Sequence, residues 1–420
     1  MSVWSTRPAA SRASSVASDL LSVGEARARI LAALNPTAAE TVALPDGAGR
    51  VLARPVVARL TQPPADVSAM DGYAVRAADA VEGARLRVTG SAPAGQPFAG
   101  ALGAGEAVRI FTGGFVPEGA DAILLQEDAT ATAETVRVNG AVKPGRWIRR
   151  RGLDFSAGNE VLPAARKLTA RDIGLAAAAN NPWLAVHRRP RVGILATGDE
   201  IALPGDPIPQ GGIVSSNAHA LAALVKAAGG DAVVLPIAPD DTAAIADVAA
   251  GAHAFDLLVT TGGASVGEHD LVRQALGNEG FELGFWRIAM RPGKPLIWGR
   301  LGRTPVLGLP GNPVSAMVCG VLFLMPAIAR LSGLPGDPPP TQRVLAAVPL
   351  PENDRRADHL RAVMSRDEAG RILVTPASVQ DSSMLATLAR ADALVLRAPF
   401  APALPAGAEV EAILLAELGI

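Results

Sequence analysis

The chain has 420 residues, which at roughly 100–200 residues per domain predicts about two to four domains. Its 39 Lys and Arg balance 40 Asp and Glu to a formal net charge of -1, excluding a global field for nucleic acid or an anionic membrane, so any anion must be held by local basic groups. With 49% hydrophobic and 4% aromatic residues the composition is that of a globular protein, and the single cysteine, Cys319, excludes an intrachain disulfide and a thiolate zinc cluster and points to a reducing, cytoplasmic setting.

Residues 1–18 are rich in Ser, Ala and Arg without an apolar core, so they read as a disordered tail and not a secretory signal. Next, DLLSVGEARARILAAL carries Ser22 and Glu25 at capping-box spacing ahead of a helical apolar pattern. A second helical piece, TARDIGLAAAAN, begins at Thr169. Between them the pattern turns to short β-like runs broken by Gly and Pro, such as ARLRVTG, EAVRIFTGG and DAILLQEDA. The reading is a discontinuous helical domain at 19–57 and 147–189, with a β-rich domain inserted at 58–146.

From Pro190, apolar strands alternate with helices: RVGILATGDE, SNAHALAALVKAAGG, DAVVLPIAPDD, DTAAIADVAAGAH, DLLVTTGG, KPLIWGR and TPVLGLPGNP. That alternation predicts a three-layer α/β domain with a mostly parallel sheet at 190–335. AMVCGVLFLMPAIA is read as a buried helix, too short and too interrupted by Pro326 to be a membrane span. After the proline-rich SGLPGDPPPTQ, five short strand-like runs predict a small C-terminal β-barrel-like domain at 336–420. The fold class is thus multidomain α/β.

In an open parallel sheet, ligands bind beyond the carboxyl ends of the strands. Polar residues gather there: Asp199 and Glu200 after the first strand, Asp240 and Asp241 after the second, and TTGGASVGEHD after the third. Gly262, Gly263 and Gly267 let the backbone approach a phosphate, with Thr261 and Ser265 adding hydroxyls. Glu200, Asp240, Asp241 and Asp270 repel one another unless a cation lies among them, and Mg²⁺ takes oxygen ligands of this kind. The competing reading is that Asp240 or Asp241 only caps the helix that follows and Asp270 caps the next. In FWRIAMRPGKPLIWG, alternation along an extended segment predicts Arg287 and Arg291 on one side, beside Lys294. In the inserted domain, Asp71-Gly72 of AMDGYAV reads as a turn, FTGGFVPEGAD as a second close-approach loop at Thr112, and the run Arg149–Arg151 as a phosphate clamp or a solvated face. The five histidines show no ligand spacing, and no nucleophile elbow or P-loop lysine motif is present.

Taken together, MDGYAV, FTGGFVPEGAD, RRRGLDF, ATGDE, TTGGASVGEHD, MRPGKPL and GLPGNPVSAMV resemble the molybdopterin molybdenumtransferase family, the MoeA type related to the gephyrin E domain. The resemblance implies a cytoplasmic homodimer whose active cleft is shared between subunits, converting adenylylated molybdopterin and molybdate to molybdenum cofactor and AMP with Mg²⁺. It implies roles for Asp71 and Thr112 from the inserted domain and for Glu200, Asp240 and Asp270 as metal and nucleotide acids. Arg287 and Arg291 stand where the family often has lysine, and Lys294, Ser315, Arg356 and Ser382 match molybdate-binding positions. A hand-over of substrate from the adenylyltransferase is also implied, with no nucleic-acid or membrane partner. Two departures stand out: Leu153 replaces a glutamate before Asp154, and Asp381 replaces a glycine before Ser382. The alternatives are the adenylyltransferase, which is usually a single compact domain, and a non-catalytic gephyrin-like scaffold.

Overall fold

A computed structural model describes residues 20–262, 275, 277 and 280–420. The chain divides into two compact units: residues up to Glu40, Gly49–Ala53 and Val186–Ile420 form the first, and Thr41–Ala48 with Arg54–Ala185 form the second. The N-terminal tail, and Gly263, Ser265, Gly267 and Asp270 of the third strand-end loop, lie outside the described residues.

The first unit is built on a six-stranded sheet in the order Asp231–Val234, Arg191–Ala196, Leu257–Thr261, Thr304–Leu309, Pro295–Leu301, Phe281–Arg287. The first four strands are mutually parallel, and the last two join as antiparallel neighbours. The hairpin at one edge explains why the two runs before the last helix do not alternate with helices as the earlier ones do. The helices Asn217–Ala227 and Thr242–Ala250 follow the first two strands, and Asp241 caps the second by accepting the Ala244 N–H at 2.9 Å. Capping therefore accounts for Asp241 and not for Asp240.

The apolar helix is longer than its core motif suggested, running 19 residues from Pro313 to Leu331, and it meets the length and composition of a membrane span. It is instead 78% buried within the protein, where Val318, Phe323, Leu324 and Ile328 join the main core cluster. Full burial of each such side chain contributes about 2 kcal/mol. Pro326 is accommodated by a widened turn at Gly320–Leu324, in which Met325 N–H reaches back to the Gly320 carbonyl. The wider turn leaves room for a ring that would otherwise meet the preceding turn. Near it, helix Val23–Ala32, started by the Ser22–Glu25 capping box, buries Ala26 and Ile30 in the same core.

At the C-terminus, strands Ala357–Arg366, Ile372–Pro376, Gln342–Ala346, Glu409–Leu414 and Ala393–Arg397 pair in that order, and the last pairs back to the first to close a five-stranded barrel. Its core holds Val344, Val374, Val395 and Ala412.

The second unit contains a six-stranded sheet ordered Ala122–Leu125, Gly72–Val75, Glu106–Ile110, Arg85–Ala92, Thr135–Val138, Ala129–Ala131. Gly72 is the first residue of an inner strand of this sheet, correcting its place in the Asp71-Gly72 turn reading, while Asp71 lies in the bend just before it. A Cβ there would sit 2.0 Å from the Leu124 carbonyl oxygen, so glycine is required by close strand approach. Helix Ala170–Ala178 belongs to this unit, opened by a Thr169–Asp172 capping box.

Candidate active site

The strands Arg191–Ala196, Leu257–Thr261 and Thr304–Leu309 end at a cavity of about 780 Å³ in the first unit. Its lining includes Glu200, Thr261, Gly262 and Ser315 from the sequence-derived set, together with Asn217, Asn312 and Ser383. Gly262 adopts φ +95°, and a Cβ on it would lie 2.4 Å from the Thr197 carbonyl oxygen. Only glycine fits this turn, as its place after the strand suggested.

Two asparagines tie the walls together. Asn217 Nδ2 donates to Thr261 Oγ1 at 2.9 Å and to the Gly311 carbonyl at 2.7 Å. Asn312 Nδ2 donates to Ser382 Oγ at 2.9 Å, and Val314 N–H donates to the Ser382 carbonyl at 3.1 Å. Ser382 is thus held against the start of the helix Pro313–Leu331. Ser315 sits in the first turn of that helix, 4% exposed, and its hydroxyl has no partner among the described residues. First-turn amides of a long helix favour an anion.

Asp381, which replaces a glycine before Ser382, turns its carboxylate onto its own loop. Its carboxylate accepts from the Ser383 hydroxyl at 2.5 Å and the Ser383 N–H at 2.8 Å, and these bonds hold its pKa below the ordinary value.

The acids converge at the ends of the first two strands. Asp240 N–H donates to Asp199 Oδ1 at 3.0 Å. Partial burial raises the Asp240 pKa, and the charges of Glu200 and Asp199 push it further the same way. These are oxygen donors with unrelieved mutual repulsion. Among the described residues no group of three or more His, Cys, Asp or Glu is arranged for a metal ion. Mg²⁺ commonly takes one or two carboxylates and completes its shell with phosphate oxygens and water, so Glu200 and Asp240 fit it on donor chemistry.

The basic residues do not form one cluster, although Arg291 and Arg356 both meet Asp354. Arg287 ends the strand Phe281–Arg287, with its guanidinium carbon 3.7 Å from the Trp286 ring centroid and its Nε buried without a partner. Arg291 belongs to a different sheet, in the two-residue strand Met290–Arg291 beside Ala357–Asp358 of the barrel. The two arginines therefore do not share one extended segment, because the chain changes sheet between them. Arg291 makes a two-pronged ion pair with Asp358, Nε to Oδ1 at 2.8 Å, and lies 3.5 Å from Asp354; the Asp358 bond raises its pKa. Lys294 is half-buried with no side-chain partner among the described residues, and Pro295 beside it lines the cavity. Arg356 bonds Asp354 at 3.0 Å.

Arg361, which sequence reasoning did not single out, is 2% exposed, donates to the Asp381 carbonyl at 3.2 Å and keeps an unpartnered Nε. A lone arginine inside HLRAVMS gives no signal of this placement. Cys319 is buried, which pushes its thiol pKa up and removes it as a nucleophile.

In the second unit, Asp71 and Thr112 meet although 41 residues apart. Thr112 donates to Asp71 Oδ1 through its N–H at 2.7 Å and its hydroxyl at 2.8 Å, which together with nearby Arg109 lower the Asp71 pKa. Arg109 lies 5.1 Å from the Tyr73 centroid and 4.9 Å from that of Phe111, and donates to the Gly72 carbonyl at 3.1 Å. In the arginine run, Arg150 pairs with Asp66 at 2.6 Å and Arg151 donates to the Pro64 carbonyl at 3.1 Å. Both guanidiniums therefore already have partners within their own unit.

Three family models match the chain: the MoeA N-terminal region (domain I and II) over residues 21–180, a probable molybdopterin binding domain over 193–330, and the MoeA C-terminal region (domain IV) over 343–415. A molybdopterin molybdenumtransferase of Haemophilus influenzae is 35% identical over 382 residues, covering 90% of this chain and 94% of its own. One of Nostoc sp. is 40% identical over 295 residues, 68% of each chain. The crystal structure of a molybdopterin biosynthesis MoeA protein from Pyrococcus superposes with a TM-score of 0.81 at 27% identity, covering 94% of this chain and 99% of that one.

Proposed function

The chain belongs to the molybdopterin molybdenumtransferase family, enzymes of molybdenum cofactor biosynthesis, and from that we propose that it inserts molybdate into adenylylated molybdopterin with release of AMP in a Mg²⁺-dependent reaction. One observation carries the finer reading. A single cavity is lined both by Glu200, whose charge acts on Asp240, and by the Ser315 hydroxyl, unpartnered among the described residues, at the start of a long helix. One acid able to hold a divalent cation and a hydroxyl able to hold an oxyanion thereby face one space.

In this reading the turn at Thr261–Gly262 presents backbone to the substrate phosphates. Ser315, Ser382 and Lys294 hold molybdate through hydroxyl and ammonium donors. Glu200 and Asp240 would hold Mg²⁺, which when bound supplies charge neutralisation at the phosphoanhydride. The protein's own contribution is proximity, bringing oxyanion and pterin sulfurs into reach. We further propose a cytoplasmic homodimer in which Asp71 and Thr112 of one copy complete the site of the other, with substrate received from an adenylyltransferase.

The test is turnover of adenylylated molybdopterin with molybdate, reading AMP and reconstitution of an apo-molybdoenzyme. Wild type is expected to release AMP only with Mg²⁺, and Glu200→Gln to lose at least about 100-fold in kcat/KM. Full Mg²⁺-dependent release by Glu200→Gln would overturn the assignment.

A further inference from the structure

We propose that Asn217 is a positioning residue that fixes the spacing between the Thr261–Gly262 turn and the oxyanion-facing start of the helix Pro313–Leu331. The inference rests on the function proposed above and adds a residue that no motif pointed to. A side-chain amide carries two N–H donors, and both of Asn217's are spent inside the protein, on Thr261 Oγ1 at 2.9 Å and the Gly311 carbonyl at 2.7 Å. The amide orientation is forced, because a carbonyl oxygen can only accept. Although Asn217 lines the cavity, it has no donor left for a ligand and acts through the loops it joins.

The brace is stiff at both ends. Asn217 is the first residue of helix Asn217–Ala227, anchored by buried Leu221, Leu224 and Val225. Thr261 is 2% exposed and donates to the Pro310 carbonyl at 3.4 Å, so Asn217 and Thr261 grip consecutive carbonyls of one loop. Asn312 then passes the constraint to Ser382 at 2.9 Å. Asparagine is demanded by chemistry: aspartate has no donors, leucine matches the shape without them, and glutamine places the amide one methylene too far.

The consequence is specific. Loss of Asn217 lets the phosphate-facing turn and the oxyanion-facing helix drift apart, so both substrates suffer. Loss of Asn312 frees only the Ser382 side, so molybdate alone suffers.

The experiment measures steady-state kinetics of the full chain at varied molybdate and varied adenylylated molybdopterin, alongside the melting temperature. Hydrogen exchange of the Thr197 and Val314 amides, which donate to the Thr261 carbonyl at 3.2 Å and the Ser382 carbonyl at 3.1 Å, is followed in parallel. For Asn217→Ala both KM values should rise about 10-fold or more, with kcat at saturation within about threefold and the melting temperature nearly unchanged; for Asn312→Ala only the molybdate KM should rise. Exchange at Thr197 and Val314 should speed up in Asn217→Ala. Unchanged KM values, or an activity loss that tracks a fall in melting temperature at constant KM, would overturn the proposal. Should wild type form no product, the proposed function fails, and the exchange data still decide this inference: unchanged protection refutes it. Asn217→Ser, which keeps a small polar residue at the helix start, is read the same way if Asn217→Ala does not fold.

Discussion

Gly262→Ala tests the turn on which the cavity depends. The residue has φ +95°, a conformation that costs an L-residue about 1–2 kcal/mol. The new Cβ would also lie 2.4 Å from the Thr197 carbonyl oxygen and 3.2 Å from Thr197 Oγ1. Real Cβ contacts under 3.0 Å essentially do not occur, so turn or strand must move by at least about 0.6 Å. Overpacking of that kind adds about 1–3 kcal/mol, for a total of about 2–5 kcal/mol. At about 2–4 °C per kcal/mol in a domain of this size, the transition of the first unit should fall by about 4–20 °C. Because Thr261 and Gly262 line the cavity, kcat/KM should drop about 100-fold. Gly229→Ala is the control: its φ is +92°, but nothing lies within 4 Å of the added Cβ. It should cost only the conformational term, about 1–2 kcal/mol, and spare activity. Equal melting temperatures for the two variants, or Gly262→Ala activity within twofold of wild type, would refute the close-packing argument.

Asp240→Asn should raise the melting temperature of metal-free protein at neutral pH, because the folded state holds an acid whose pKa burial and like charges have raised. The sign follows from linkage: ionisation is penalised in the folded state above the raised pKa, and the gain should vanish as pH falls below the ordinary carboxylate range. Millimolar Mg²⁺ should stabilise wild type and not this variant, read by thermal melts; equal Mg²⁺ shifts would count against the cation site. For the shared site, Asp71→Ala and Glu200→Gln should each be inactive alone. After dissociation and random reassociation of a mixture, about a quarter of wild-type activity should return, since half the dimers are mixed and each keeps one intact site. No recovery would exclude sharing between copies.

The order of elements was written in local patterns. Ser22 and Glu25 announce their helix, the five short C-terminal runs become the five barrel strands, and alternation from Pro190 onward gives the parallel sheet. So were the residues whose chemistry is local, as with Gly262 after a strand or Asp241 before a helix. Period and turn chemistry act over a few residues, and a sequence displays them directly.

Which side chains meet was decided only by tertiary structure. Asp71 and Thr112 come together across 41 residues, Asn217 and Gly311 across 94, and Arg291 leaves its neighbour Arg287 to pair with Asp358. Arg361 becomes a buried donor, and Gly72 becomes a strand residue wedged against Leu124, where its neighbours had read as a turn. A hydrogen bond or a contact is a condition on distance in space. Chain separation leaves that distance open until sheet order and loop closure set it, so the sequence named the candidate groups and the fold chose the partners of each.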